Sequence, residues 1–123
     1  NLWEKLMAIN PEALDEYREI LGEEFAPFFI DLIDTFFSSG PEFIKNMKAA
    51  LESGDDELFT RSAHTLKSNC KTFGAYDFAE LAFELEMLGN DQKLEEAPEK
   101  LAVLEETFQQ LVDDLTALKD NLA

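Results

Sequence analysis

At 123 residues the chain has the length of one domain, and 27 acidic against 10 basic residues give it a formal net charge of −17. Such a charge repels both the phosphate backbone of nucleic acid and the anionic inner face of a membrane, so neither is an expected partner. Hydrophobic residues make up 46% of the sequence, Phe alone supplies 11, and there are only 5 Gly and 4 Pro, which favours a packed helical fold over disorder.

The elements follow in chain order. Residues 1–9, with Trp3, read as a linker or as an extension of the first helix, and the domain proper is assigned to 10–123. Asn10-Pro11 reads as an N-cap followed by proline in the first turn, with Leu14, Tyr17 and Leu21 at helical spacing until Gly22. A second helix carries Phe29, Ile30, Ile33, Phe36 and Phe37 and is expected to end at Ser38-Ser39-Gly40. Pro41 opens a third, with Phe43, Ile44, Met47 and Leu51, which Ser53-Gly54 terminates. Asp55 caps a fourth helix that runs to about Phe73, with Asp56 and Glu57 where the helix dipole favours negative charge. Phe78, Leu81, Ala82, Leu85 and Leu88 mark a fifth; Asp91 to Ala97 is a charged loop. Pro98 starts a long sixth helix with Leu101, Leu104, Phe108, Leu111, Val112, Leu115 and Leu118 on one side.

Nothing in the pattern reads as a strand. The expected fold is all-α: an antiparallel up-and-down four-helix bundle made by the last four helices, with two additional N-terminal helices packed at one end. One buried core predicts a monomer. The single cysteine, Cys70, lies within an apolar pattern, as a buried thiol in a reducing compartment would. No stretch reaches the roughly 20 apolar residues that span a bilayer, and no secretory signal is visible, so the expected location is cytoplasmic. The chain begins at Asn1 rather than Met, which fits a segment of a longer protein as well as a free-standing one.

On the fourth helix Phe59, Leu66, Cys70 and Phe73 fall within roughly 60° of one another at about 100° per residue, with Leu58 and Ala63 on the flanks. His64, the only histidine, points away from this stripe, toward solvent. Arg61, Lys67 and Lys71 lie on the same exposed face, a local positive island where an anion such as a phosphoryl group could be held. Thr60 and Ser68, one turn before and after the histidine, are small and leave a partner room to approach. A lone surface histidine says little by itself; the basic collar and small neighbours make this one selective.

The stretch Ala63-His64-Thr65-Leu66-Lys67-Ser68-Asn69-Cys70-Lys71-Thr72-Phe73-Gly74-Ala75 resembles the signature of histidine-containing phosphotransfer (HPt) domains of two-component phosphorelays. That signature has Leu two residues after the histidine, Lys three after, a small residue four after and Gly ten after. Leu66, Lys67, Ser68 and Gly74 stand at those places, with serine where glycine is usual. The likeness extends in helix order from about Asn10 to Asn121. It implies that His64 is the phosphoacceptor, with Lys67 neutralising phosphoryl oxygens, Lys71 secondary to it, and Arg61, Thr60, Ser68 and Gly74 as binding positions. The family often has a glutamine 22 residues after the histidine; Glu86 stands there. A carboxylate in that place would accept from Nδ1–H, fix the tautomer and make Nε2 more basic, unless Glu86 is an ordinary solvated helix residue.

The resemblance also implies receiver domains as partners, of response regulators or of a hybrid histidine kinase, with the receiver supplying the aspartate and Mg²⁺ and no cofactor in the chain itself. His64 would accept a phosphoryl group from one receiver aspartate and pass it to another, as a carrier without kinase activity, since no ATP-binding glycine loop is visible. Of Phe28, Phe29, Phe36 and Phe37, too many for one stripe, some are expected to surface near the histidine as a docking patch. A di-iron site needs more than one histidine, and a Cys/His pair fails because Cys70 and His64 face opposite ways. The remaining alternative is a non-catalytic acidic adaptor bundle.

Overall fold

The computed structural model describes residues 6–123; Trp3 and its immediate neighbours lie outside the described residues. A 3-10 turn over Pro11–Leu14 leads into α1 (Asp15–Leu21), and a second over Gly22–Glu24 into α2 (Phe25–Ser53). Then come α3 (Asp56–Thr72), α4 (Tyr76–Asn90), a 3-10 turn at Leu94–Glu96 and α5 (Pro98–Leu122). The cap signals act locally as the sequence indicates. The Asn10 side chain accepts from Glu12 N–H and the Asp55 side chain from Leu58 N–H, each at 3.0 Å. Gly54 takes the left-handed conformation that lets the chain reverse between α2 and α3.

The two helices expected over 25–53 are one. Pro41 lies inside α2, and neither it nor Ser38-Ser39-Gly40 ends the helix. A proline in a helix removes one hydrogen bond and costs about 3 kcal/mol. Phe29, Ile33 and Phe36 before it and Ile44, Met47 and Ala50 after it are all buried, which holds the helix through the defect. Gly40 is not a stop signal but a contact: a Cβ there would stand 3.0 Å from the Phe108 ring. The expectation of two N-terminal helices beside a bundle of the last four is thereby corrected, because the N-terminal half of α2 belongs to the main packing.

The four long helices each pack on two neighbours, in the cyclic order α2, α3, α4, α5. Contacts between them run in opposite directions along the chain, as antiparallel neighbours require. Asp34 meets Lys119 where Lys48 meets Glu105, and Phe78 meets Phe108 where Glu84 meets Lys100. The core between them holds Phe59, Ala63, Leu66 and Cys70 of α3 with Leu104, Leu111, Leu115 and Leu118 of α5, all fully buried. Burial pushes the Cys70 thiol far above its ordinary value, which leaves it inert.

Residues 6–10 are neither helix nor free linker. Ile9 is in the core, and the backbone N–H groups of Met7 and Ala8 donate to Asp114 of α5 at 2.9 and 2.5 Å. Gln110 donates to the other oxygen of that carboxylate at 2.8 Å. Asn10 N–H then bonds the Gly74 carbonyl at 2.9 Å, so this strap closes over the turn that joins α3 to α4.

Candidate functional site

The buried stripe of α3 forces its opposite side outward, and His64 stands there with 57% of its side chain exposed. The turn at 73–75 returns the chain as α4, antiparallel to α3. It brings Gly89 against Thr60, Glu86 against His64 and Phe83 against Lys67. Gly89 permits the close approach: a Cβ there would collide with the Thr60 hydroxyl and stand 3.1 Å from the Phe59 ring.

Glu86 is no ordinary solvated residue. Its side chain is only 12% exposed, one carboxylate oxygen lies 2.8 Å from His64 Nδ1, and the other accepts from Lys67 Nζ at 2.8 Å. Burial by itself pushes the Glu86 carboxyl up, but the hydrogen bonds from Lys67 and His64, with the charges of both, outweigh it and hold the carboxyl below its ordinary value. The carboxylate is therefore ionised and can only accept. Nδ1 must carry the proton, and in a neutral ring the lone pair of Nε2 faces away from the pair, toward solvent.

The basic island is less free than its sequence implies. Lys67 is spent on Glu86, with its ammonium 5.0 Å from the centre of the Phe83 ring, and Arg61 leans on Glu57 at 3.7 Å. Lys71 is exposed and has no ion-pair partner among the described residues. Thr60 is half-buried: it packs on Gly89 and donates to the Asp56 carbonyl at 2.7 Å, while Ser68 is exposed and offers the expected clearance. Gly74 is not brought to the histidine. It sits buried at the far end of α3 with φ +77°, where a Cβ would meet Ala13 and the Asn10 carbonyl, so its place is structural.

Beside the imidazole a groove of about 390 Å³ opens between the start of α3 and the end of α4, lined by Asp56, Glu57, Arg61, His64, Glu86 and Gln92 among others. The outer side of α4 exposes three large apolar side chains, Tyr76, Phe83 and Met87, at 51%, 39% and 42%, with Lys67, Lys71 and Glu80 beside Tyr76 and Phe83. The phenylalanines of α2 do not supply this patch. Phe29 and Phe36 are buried, Phe37 is half-buried, and Phe28, though exposed, packs its ring on Phe29. Phe29 in turn meets Phe73, nine residues and about 14 Å along α3 from His64 at 1.5 Å per residue. The α4 patch was legible as three large apolar residues at helical spacing, Tyr76, Phe83 and Met87, with Glu80 among them, opposite the core run of Phe78, Ala82 and Leu85. Among the described residues no cluster of acidic, cysteine and histidine side chains could hold a metal ion, and no helix is long and apolar enough to cross a membrane.

The whole fold is similar to the crystal structure of histidine-containing phosphotransfer protein B from Pseudomonas aeruginosa PAO1, with a TM-score of 0.80, 24% sequence identity, and coverage of 93% of this chain and 96% of that one. No curated protein matches the sequence significantly. The family model of the Hpt domain matches residues 31–120, which include His64, Lys67 and Glu86. Matched over most of its length, the chain belongs to the Hpt domain family, whose members carry phosphoryl groups on histidine in two-component signalling.

Proposed function

We propose that His64 accepts a phosphoryl group from the aspartyl phosphate of one receiver domain and passes it to the aspartate of another. The observation that carries this reading is the 2.8 Å contact between Nδ1 and Glu86, which leaves Nε2 as the outward nucleophile. The Nε2 lone pair attacks phosphorus, the bond from phosphorus to the aspartate oxygen breaks, and its electron pair stays on that carboxylate. The ring keeps its Nδ1 proton throughout. In the second half the incoming aspartate attacks, the N–P bond breaks, and the pair returns to Nε2. Such transfers spread charge over the phosphoryl oxygens, so positioning and nearby cations do most of the catalysis.

In this reading Lys67 and Lys71 face the phosphoryl oxygens, Arg61 flanks the approach, and Ser68 leaves clearance for the partner. Tyr76, Phe83 and Met87 form the apolar surface on which a receiver docks. The domain takes in Met7 to Ile9 together with residues 10–123, acts as a monomeric carrier in the cytoplasm, and has no kinase activity of its own. The test is incubation with a phosphorylated receiver. Acid-labile, alkali-stable phosphate should appear on the chain, be absent from His64→Gln, and chase onto a second receiver. Phosphate that never appears, or that persists in His64→Gln, would leave an adaptor bundle as the better account.

A further inference from the structure

We infer that Lys67 and Glu86 change partners when His64 is phosphorylated, and that Glu86 thereby keeps the phosphorylated imidazole in its protonated, readily transferred form. The inference rests on the carrier role proposed above. Its starting point is that one carboxylate holds both the nucleophilic ring and the best-placed cation, through separate oxygens, each at 2.8 Å.

In the resting site the two ionised groups, Lys67 and Glu86, neutralise each other. A phosphoryl group on Nε2 brings nearly two negative charges to within a helical turn of Lys67, and an ammonium on a flexible stem moves to the larger anionic charge. Among the described residues the other contact of that ammonium is the Phe83 ring, a weaker partner than a phosphoryl group. Glu86 does not follow: its side chain is about as buried as that of Lys67, 12% against 14% exposed, but the phosphoryl charge repels a carboxylate, which keeps its donor at Nδ1. Its full charge is then left facing Nδ1–H. A carboxylate accepting from a cationic ring makes a stronger hydrogen bond than a neutral amide would.

The proton on Nδ1 decides how the N–P bond breaks. With Nδ1 protonated, the ring leaves phosphorus as neutral imidazole; without it the ring must leave as an imidazolate anion, a far poorer leaving group. Water or a carboxylate supplies the new P–O bond, the N–P electron pair goes to Nε2, and the Nδ1 proton stays where it was. The remaining charged groups around the ring are Asp56, Glu57, Arg61 and Lys71, all from α3 itself; from α4 and the segment after it, Asn90 and Gln92 line the groove uncharged. Arg61 leans on Glu57, and among the described residues Glu86 is the ionised group in contact with Nδ1.

Glu86 is on this account a positioning residue, which acts through the ring and not on phosphorus. The experiment loads the full chain with phosphoryl groups using phosphoramidate and follows the loss of phosphate from His64 between pH 5 and 9. For Glu86→Gln, which keeps shape and packing, the fall-off with pH should move about one unit toward acid, the difference between a charged and a neutral acceptor, so that the rate drops by about tenfold on the alkaline side of the profile and by a few-fold at neutral pH. Lys67→Ala should leave the shape of that pH profile as it is. In the wild type, imidazole ¹⁵N shifts of the phosphorylated chain should show Nδ1 still protonated at neutral pH, a readout that needs no variant. Coincident profiles for wild type and Glu86→Gln, or an unprotonated Nδ1, would overturn the inference while leaving the carrier role intact. Failure of His64 to take up phosphate from phosphoramidate or from a receiver would remove both.

Discussion

Two carboxylates in this molecule each collect several hydrogen bonds, and they do opposite things with them. Asp114 of α5 is 2% exposed and holds two backbone N–H groups of the N-terminal strap and the Gln110 amide. None of these donors is a titratable side chain, and the backbone pair cannot leave without the strap. Glu86 of α4 holds an imidazole and an ammonium at the edge of solvent, both on side chains that rotate and both able to answer a change in charge. The first arrangement fixes a chain path. The second is a junction of the kind that the proposed transfer on His64 calls for, with partners that a new charge could redistribute.

The sharpest test of that contrast separates function from stability. His64→Gln should abolish phosphate uptake entirely while leaving thermal stability almost untouched, since the ring is more than half exposed. Asp114→Ala should do the reverse. It leaves the Met7 and Ala8 N–H groups and Gln110 without their acceptor, at a cost of about 2 kcal/mol, read by denaturant unfolding. Hydrogen exchange should rise in residues 7–10, and phosphate uptake on His64 should continue. Loss of uptake in Asp114→Ala at a temperature where it remains folded would show that the strap is coupled to the site and end the contrast.

Much of the site was legible because it obeys one periodicity. The buried run of Phe59, Ala63, Leu66 and Cys70 leaves His64 no direction but outward, and the same arithmetic places Lys67 one turn along. What the pattern of α3 could not reveal is who faces whom across α4. The pairing of Lys67 with Glu86 and the seat of Thr60 on Gly89 depend on how closely two helices approach, and that is set by a glycine contact. Asp114 escaped notice because its neighbours Leu111, Leu115 and Leu118 make it look like a polar residue at the edge of a stripe, whereas it is buried under residues distant in sequence. Pro41 misled for the opposite reason. Its local preference against helix is real, but core contacts on both sides of it outweigh that preference.

The glycine contact itself can be challenged. Gly89→Ala puts a methyl group into the Thr60 hydroxyl and against Phe59, in backbone of α4 and side chains of α3 that are already closely packed. Forcing the helices apart should cost about 1–3 kcal/mol and lengthen the reach from Glu86 to Nδ1. Phosphate uptake should slow in step with that loss of contact, visible as a change in the imidazole ¹⁵N shifts. If the variant lost stability but kept both the shifts and the uptake rate, the spacing of α3 and α4 would not be what sets the junction. Tyr76→Ala and Met87→Ala together should weaken receiver binding without altering uptake from phosphoramidate, because they belong to the docking patch and touch neither the ring nor Lys67.

The smallest expected effect is on acid stability, and its sign distinguishes the two carboxylates once more. Burial raises the Glu86 carboxyl, but its bonds and charges with Lys67 and His64 lower it further, and the net direction is below the ordinary 4.5. A group depressed in the folded state binds protons more readily in the unfolded one. Its stabilisation is therefore present above the ordinary value and is lost as pH falls through the folded value. Wild type should be modestly more stable than Glu86→Gln at neutral pH, the gap should hold down to about pH 5, and it should close in more acidic solution as the carboxyl takes up its proton. A gap that stayed constant into strong acid would mean that the shape of the side chain, and not its charge, ties α4 to α3. The charge lost there is the one that, in the exchange inferred above, Lys67 would leave uncovered on turning to a phosphoryl group, so a carboxylate that contributes little to folding would still govern the chemistry of the ring beside it.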